Sequence, residues 1–135
     1  MEIANGTYLG DLRIEITHLK SGVSIITDAP ADNQGKGEAF SPTDLMATAL
    51  GTCMLTIMGI VARRNNIPIE GTKIAISKVM GTDPRRVTEV NIAFDMPPGN
   101  FSEKEQDLLR NAAVTCPVAK SLHPDIHQGV TFKYQ

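Results

Sequence analysis

The chain has 135 residues, enough for one domain folded around a single core without metal or disulfide support. Its 13 Lys and Arg against 15 Asp and Glu leave a net charge of -2, so there is no broad attraction to phosphate backbones or anionic membranes. It has no Trp, two Tyr and four Phe, and no basic block interleaved with aromatics, which argues against nucleic acid as a partner.

The opening run from Met1 to Gly6 lacks the basic region, apolar stretch and cleavage site of a secretory signal, so a cytoplasmic location is expected. In that reducing compartment Cys53 and Cys116 are read as reduced core residues or reactive thiols rather than a permanent staple. From Gly6 to Thr17, Tyr8, Leu9, Leu12, Ile14 and Ile16 follow an alternating pattern. It breaks near Ser21-Gly22 and resumes over Val23 to Thr27, which reads as a β-hairpin. Asp28 to Phe40 is rich in Pro, Gly, Asn and Asp and reads as a loop longer than a simple connector needs.

Ser41-Pro42 supplies a cap and a first-turn proline, with Asp44 where a helix dipole favours negative charge. The helix that starts here is expected to run to Arg63-Arg64, with Asn65-Asn66 and Pro68 stopping it. Within it Leu45 to Ala62 carries no charge over 18 residues, about the minimum for a bilayer span. Its three Thr, two Gly and Cys, and the strands around it, read instead as a buried soluble helix with no membrane role. Being apolar nearly all round, it needs cover from a sheet, a helix or a second subunit.

Thr72 to Val79 and Arg86 to Phe94 read as a second hairpin turning at Gly81 to Arg85. After the breaker Met96 to Asn100, Ser102 and Glu105 form a capping-box signature for a helix through Leu108, Leu109, Ala112 and Ala113. Thr115-Cys116-Pro117 interrupts it and starts a short helix to Leu122, closed by His123-Pro124, and Gly129 to Tyr134 reads as a last strand. The order ββαββααβ indicates one α+β domain over 1–135 with mainly antiparallel pairing.

Cys53 lies about three turns into the long helix among Ala49, Leu50, Met54 and Ile57, a local context that favours a structural role as a small buried hydrophobe. Buried in apolar surroundings, it is inert unless a cation reaches it. Cys116 is expected to be the easier thiol to ionise, because Pro117 at the first helical position puts it at a helix cap. Its local context leaves active and structural roles equally open.

SPTDLMATALGTC and CPVAKSL, in this order, on a long helix and at the start of a short one, resemble the paired cysteine motifs of the OsmC/Ohr family. The resemblance covers essentially the whole chain and implies an OsmC-like fold, an antiparallel sheet packed with a long central helix in an intertwined homodimer. It implies a thiol peroxidase in which Cys53 attacks an organic hydroperoxide and becomes a sulfenic acid, and Cys116 resolves it as a disulfide. An external dithiol is the implied reductant, and no cofactor or metal is implied.

The motif departs from the peroxidases at Thr43, where they carry a glutamate that joins an arginine in holding the thiolate. Asp44 is adjacent but points about 100° round the helix, and Glu38 in the preceding loop is another candidate. Arg13 is the first choice of cation, since the family takes its arginine from the N-terminal region. The missing glutamate keeps a rival open: a redox sensor without turnover, or a small-molecule binding module on the same scaffold.

Other patterns point to less. His123 and His127 are four apart, but Pro124 spoils a helical ligand face. His18 is placed at a hairpin turn. Gln34-Gly35-Lys36-Gly37 lacks the strand, spacing and Ser/Thr of a phosphate loop. The methionines read as core filler, with Met54 and Met58 also candidates to line an apolar entrance.

Overall fold

The expected first strand contains a tight turn. At Asp11 and Leu12 the backbone enters the left-handed region, with φ of 52° and 62°, and reverses. A two-residue hairpin turn of type I′ has both central residues in that conformation, and this mirror-image turn matches the right-handed twist of the strands. The computed structural model, which describes all of residues 1–135, therefore has three strands where two were expected. These are β1 (Ala4–Gly10), β2 (Arg13–His18) and β3 (Ser24–Asp28), in a sheet of that order. Both pairings are antiparallel, and the register sets Arg13 opposite Asp28. Leu12 hid the turn: an apolar residue in a left-handed position reads as one more step of a strand.

The chain divides into two compact units, Met1–Met46 and Ala47–Gln135. The first holds β1 to β3, a 3-10 turn at Ala31–Asn33 and the opening turn of α1 (Pro42–Arg64). Its buried residues are Thr27, Asp28 and Ser41, all polar, whereas Tyr8, Leu9, Leu12, Val23, Ile25, Ile26 and Phe40 are exposed. A three-stranded sheet with no buried apolar face is not stable by itself in water.

At the start of α1 the expected cap is present in reciprocal form. Ser41 Oγ accepts from the Asp44 amide at 3.0 Å, and Asp44 Oδ2 accepts from the Ser41 amide at 3.0 Å. Two of the helix's otherwise orphaned groups are thereby satisfied. The helix ends at Arg64, and Asn66, at φ 55°, turns the chain away.

The second unit holds the apolar core. Ala47, Leu50, Gly51, Met54, Met58 and Ala62 recur at steps of three and four and form the buried stripe of α1. Gly51 lets this helix lie close on β4 (Lys73–Gly81): a Cβ there would meet Ile76 Cδ1 at 2.7 Å and Ile74 Cδ1 at 2.9 Å. The helix is long and apolar enough to cross a bilayer by length and composition, and within this chain it is covered on one stripe rather than all round. Ile60 stays exposed, and with Leu55 and Gly59 it lines a groove of about 800 Å³ that continues over Ile67 and Ile69.

β4 pairs antiparallel with β5 (Arg86–Asp95), as expected for the second hairpin. The chain then passes through α2 (Glu103–Val114) and α3 (Pro117–Ser121) to β6 (His127–Lys133), which pairs with β5 in parallel. This departs from purely antiparallel pairing: the two helices form the long crossover that parallel neighbours require. Val90, Ile92, Phe94 and Met96 are buried, and Phe94 stacks on Phe132 with ring centroids 5.1 Å apart. The capping box of α2 is complete, Ser102 Oγ accepting from the Glu105 amide at 3.1 Å and Glu105 Oε1 from the Ser102 amide at 2.9 Å.

Candidate functional site

Both cysteines belong to the second unit and both are free thiols. Cys53 sits half-buried on α1, one residue before the core methionine Met54. Cys116 is wholly buried and caps α3, its Sγ accepting from the Ala119 amide at 3.3 Å. Pro117 follows as the first helical residue, where its missing N–H costs nothing.

The electrostatics of Cys116 run against the sequence expectation. Burial pushes its thiol above the ordinary cysteine range, the Ala119 amide pulls it down by a smaller amount, and the neighbouring Cys53 thiol pushes it up again by hydrogen bonding and like-charge repulsion. The helix cap exists, but desolvation outweighs it, so Cys116 is not the easily ionised thiol. The Cys53 side chain is among the groups that act on Cys116, so the two motifs meet across the sequence.

In the first unit, two of the three predicted charge partners come together on a residue that sequence reasoning missed. Arg13 donates from Nε to Asp28 Oδ1 at 2.7 Å and from Nη2 to Asp28 Oδ2 at 2.8 Å, a two-pronged pair. Nη2 also reaches Glu38 Oε1 at 2.9 Å. The Asp28 side chain is fully buried and the Glu38 side chain 67 % exposed, so the two carboxylates are not equivalent. Asp28 Oδ2 accepts a further bond from the Glu38 amide at 3.1 Å.

The Arg13 hydrogen bonds hold the Asp28 carboxyl below its usual range despite burial, and Lys36 adds to this at longer reach. The same bonds raise the Arg13 guanidinium still further above neutrality. Asp44 is occupied elsewhere, in the cap of α1, and the Thr43 hydroxyl lies 3.2 Å from that of Ser41. Asp28 reads from the sequence as the first residue of the loop, whereas it closes β3, and its partner depends on the β2–β3 register.

Met54 and Met58 are fully buried and act in packing rather than lining an open entrance. His123 and His127 are exposed and face different carboxylates, Asp125 at 3.8 Å and Glu89 at 3.9 Å. His18 closes β2 and meets Ser21 Oγ at 2.6 Å, as its place at a turn predicts.

The OsmC-like protein family profile matches residues 35–130, a span that contains both cysteine motifs. The chain belongs to the OsmC-like family. No functionally curated protein matches it. Among solved structures, a Psychrobacter arcticus 273-4 protein, described as a candidate osmotic-stress-induced and detoxification-response protein, is 56 % identical with a TM-score of 0.95. That match covers 98 % of this chain and 96 % of the other.

An organic hydroperoxide resistance protein OsmC from Legionella pneumophila shares 16 % identity, with a TM-score of 0.78 over 98 % of this chain and 96 % of the other. An organic hydroperoxide resistance protein from Elizabethkingia anophelis shares 18 %, with a TM-score of 0.71 over 100 % of this chain and 98 % of the other. These two distant likenesses establish the OsmC fold. Within it, this OsmC-like chain has Cys53 on α1, Cys116 at the head of α3 and Thr43 in the first turn of α1.

Proposed function

We propose that this OsmC-like protein is a thiol-dependent peroxidase for organic hydroperoxides, with Cys53 as the peroxidatic residue and Cys116 as the resolving residue. The Cys53 thiolate attacks the terminal oxygen of ROOH and the O–O bond breaks. The alcohol ROH leaves after taking a proton, and Cys53 becomes a sulfenic acid. The Cys116 sulfur then attacks the Cys53 sulfur, water leaves with the sulfenic oxygen, and a disulfide remains. An external dithiol returns both residues to thiols by exchange, so no metal or cofactor takes part.

The observation that carries this reading is the nearness of the half-buried Cys53 thiol to the buried Cys116, whose pKa it helps to raise. A resolver held as a thiol does not compete for the peroxide, and its nearness traps the sulfenic acid before further oxidation. The hydroperoxide-resistance names of the distant neighbours agree with this substrate class. The uncovered apolar residues of the first unit and of α1 favour a homodimer as the working form, and a cytoplasmic address suits two free thiols.

Thr43 in place of the peroxidase glutamate favours a second reading, a redox sensor or binding module that oxidises once without turning over. Following the loss of cumene hydroperoxide in the presence of several dithiols separates the two. Catalytic loss that disappears in Cys53→Ser is expected, and stoichiometric loss by the wild type under every reductant overturns the peroxidase.

A further inference from the structure

We infer that Gln128 is a positioning residue for the resolving step: from β6 it holds the short helix headed by Cys116, and so keeps that thiol within reach of Cys53. Its purpose rests on the peroxidase reading, and its evidence is the way α3 is fastened within the second unit.

α3 has little of its own to hold it in place. Its five residues make little more than one turn, too few for a helix to persist by its own hydrogen bonds. None of the five is fully buried, and only Val118 and Ala119 are even half-buried, so apolar packing anchors the helix weakly. The buried residue is the cap itself, Cys116, whose Sγ accepts from the Ala119 amide at 3.3 Å. That sulfur is a weak acceptor, and it is also the atom that has to join Cys53, so the cap bond cannot hold the helix through the reaction.

Gln128 supplies a fastening that the chemistry leaves intact. Its Nε2 donates to the Ala119 carbonyl at 3.1 Å. α3 ends at Ser121, so no residue inside the helix stands four further on to donate to that carbonyl. Ala119 thus meets Cys116 through its amide and β6 through its carbonyl. β6 in turn is paired with β5 along its whole length, from His127 to Lys133.

The place of Gln128 in the strand agrees with this role. In the β5–β6 register Gln128 stands beside Val90, while Val130 and Phe132 stand beside Ile92 and Phe94. Paired residues share a face, so Gln128 belongs to the inward row, whose other members are apolar. A half-buried amide in such a row calls for a partner, and α3 provides it.

In the resolving step the Cys116 sulfur attacks the sulfenic sulfur of Cys53, the S–S bond forms, the S–O bond breaks, and the oxygen leaves as water with the Cys116 proton. Its rate depends on how closely the two sulfurs are held. The first oxidation, at Cys53, needs nothing from α3. Loss of the tether therefore slows the second step and spares the first, whereas a merely structural role weakens the fold without separating them.

The test uses the full-length protein with Gln128→Met, which keeps the length of the side chain without its donor, and Gln128→Glu, which turns an acceptor towards the carbonyl at neutral pH. Arg110→Met is the control. Arg110 Nη1 donates to the Val130 carbonyl at 3.4 Å, so this variant removes a tie between α2 and β6 and leaves α3 alone. With cumene hydroperoxide, both Gln128 variants should form the Cys53 sulfenic acid within about twofold of the wild-type rate and the disulfide about tenfold more slowly. Sulfinic acid should accumulate on Cys53 as a result. Wild-type resolution in Gln128→Met, equal slowing of both steps, or the same loss in Arg110→Met overturns the inference. Gln128→Met adds an apolar side chain to an apolar row, so it decides alone if Gln128→Glu does not fold.

A glutathione redox buffer keeps the outcome separable from the function itself, since it needs no peroxide. There the equilibrium constant for the Cys53–Cys116 disulfide should fall about tenfold in Gln128→Met. A wild type that consumes no peroxide, with this fall still present, removes the peroxidase and leaves the positioning role. A wild type that turns over, with the equilibrium and the resolving rate unchanged in Gln128→Met, overturns the positioning role alone.

Discussion

The reversal at Cys116 can be tested directly by following its ionisation against pH in the native protein, by NMR with cysteine labelled at Cβ. Burial and the Cys53 thiol both raise its pKa, and the Ala119 amide offsets only part of this. With a pKa above the roughly 8.5 of a free thiol, its thiolate fraction at pH 7 is below about 3 %. Each pH unit then adds about tenfold until the pKa is reached. In that titration the Cβ resonance of native Cys116 should still be that of the thiol at about pH 8. The unfolded chain should titrate near the free-thiol value. Cys53→Ser removes the ionisable neighbour, so the Cys116 profile should move partway back towards neutrality while remaining above that of the unfolded chain. A midpoint below about pH 8 in the native protein would refute the reasoning, since a depressed Cys116 is a candidate nucleophile and the assigned roles would exchange.

Cys116→Ser exposed to an organic hydroperoxide should accumulate a dimedone-reactive sulfenic acid on Cys53, whereas Cys53→Ser should leave Cys116 largely unoxidised; the opposite pattern reverses the assignment. The Arg13–Asp28 pair predicts an acid-dependent component of stability. Because the Asp28 pKa is lowered in the folded protein, this component is present above the unfolded value of about 4 and is lost as pH falls below it. Urea midpoints of wild type and Asp28→Asn should therefore converge in acid and separate towards neutrality, and a gap independent of pH contradicts the pairing. Phe94→Ala, which empties the buried stack on Phe132, should cost about 3 to 5 kcal/mol in urea unfolding, against about 1 kcal/mol for Ser102→Ala at the cap of α2.

Features set by neighbouring residues were readable from the sequence. The bounds of α1 follow from Ser41-Pro42 and Arg63-Arg64, the start of α2 from Ser102 and Glu105, and the cap at Cys116 from Pro117. Features set by long-range packing were not. The parallel placement of β6 depends on where two helices deliver the chain, and the ionisation of Cys116 on atoms distant in sequence that exclude water from it. Asp28 was hidden for the same reason: it looked like the first residue of a loop, and only the strand register makes it the partner of Arg13. The turn at Asp11 and Leu12 is local, yet Leu12 disguised it by continuing an apolar alternation.

The most direct test of the thiol-pair mechanism is the fate of both cysteines after one equivalent of cumene hydroperoxide is added to the fully reduced protein. Non-reducing peptide mapping should find the segments containing Cys53 and Cys116 joined by a disulfide within one chain, formed faster than either thiol is lost to higher oxidation states. Two cysteines that both remain alkylatable while the peroxide persists would contradict the account.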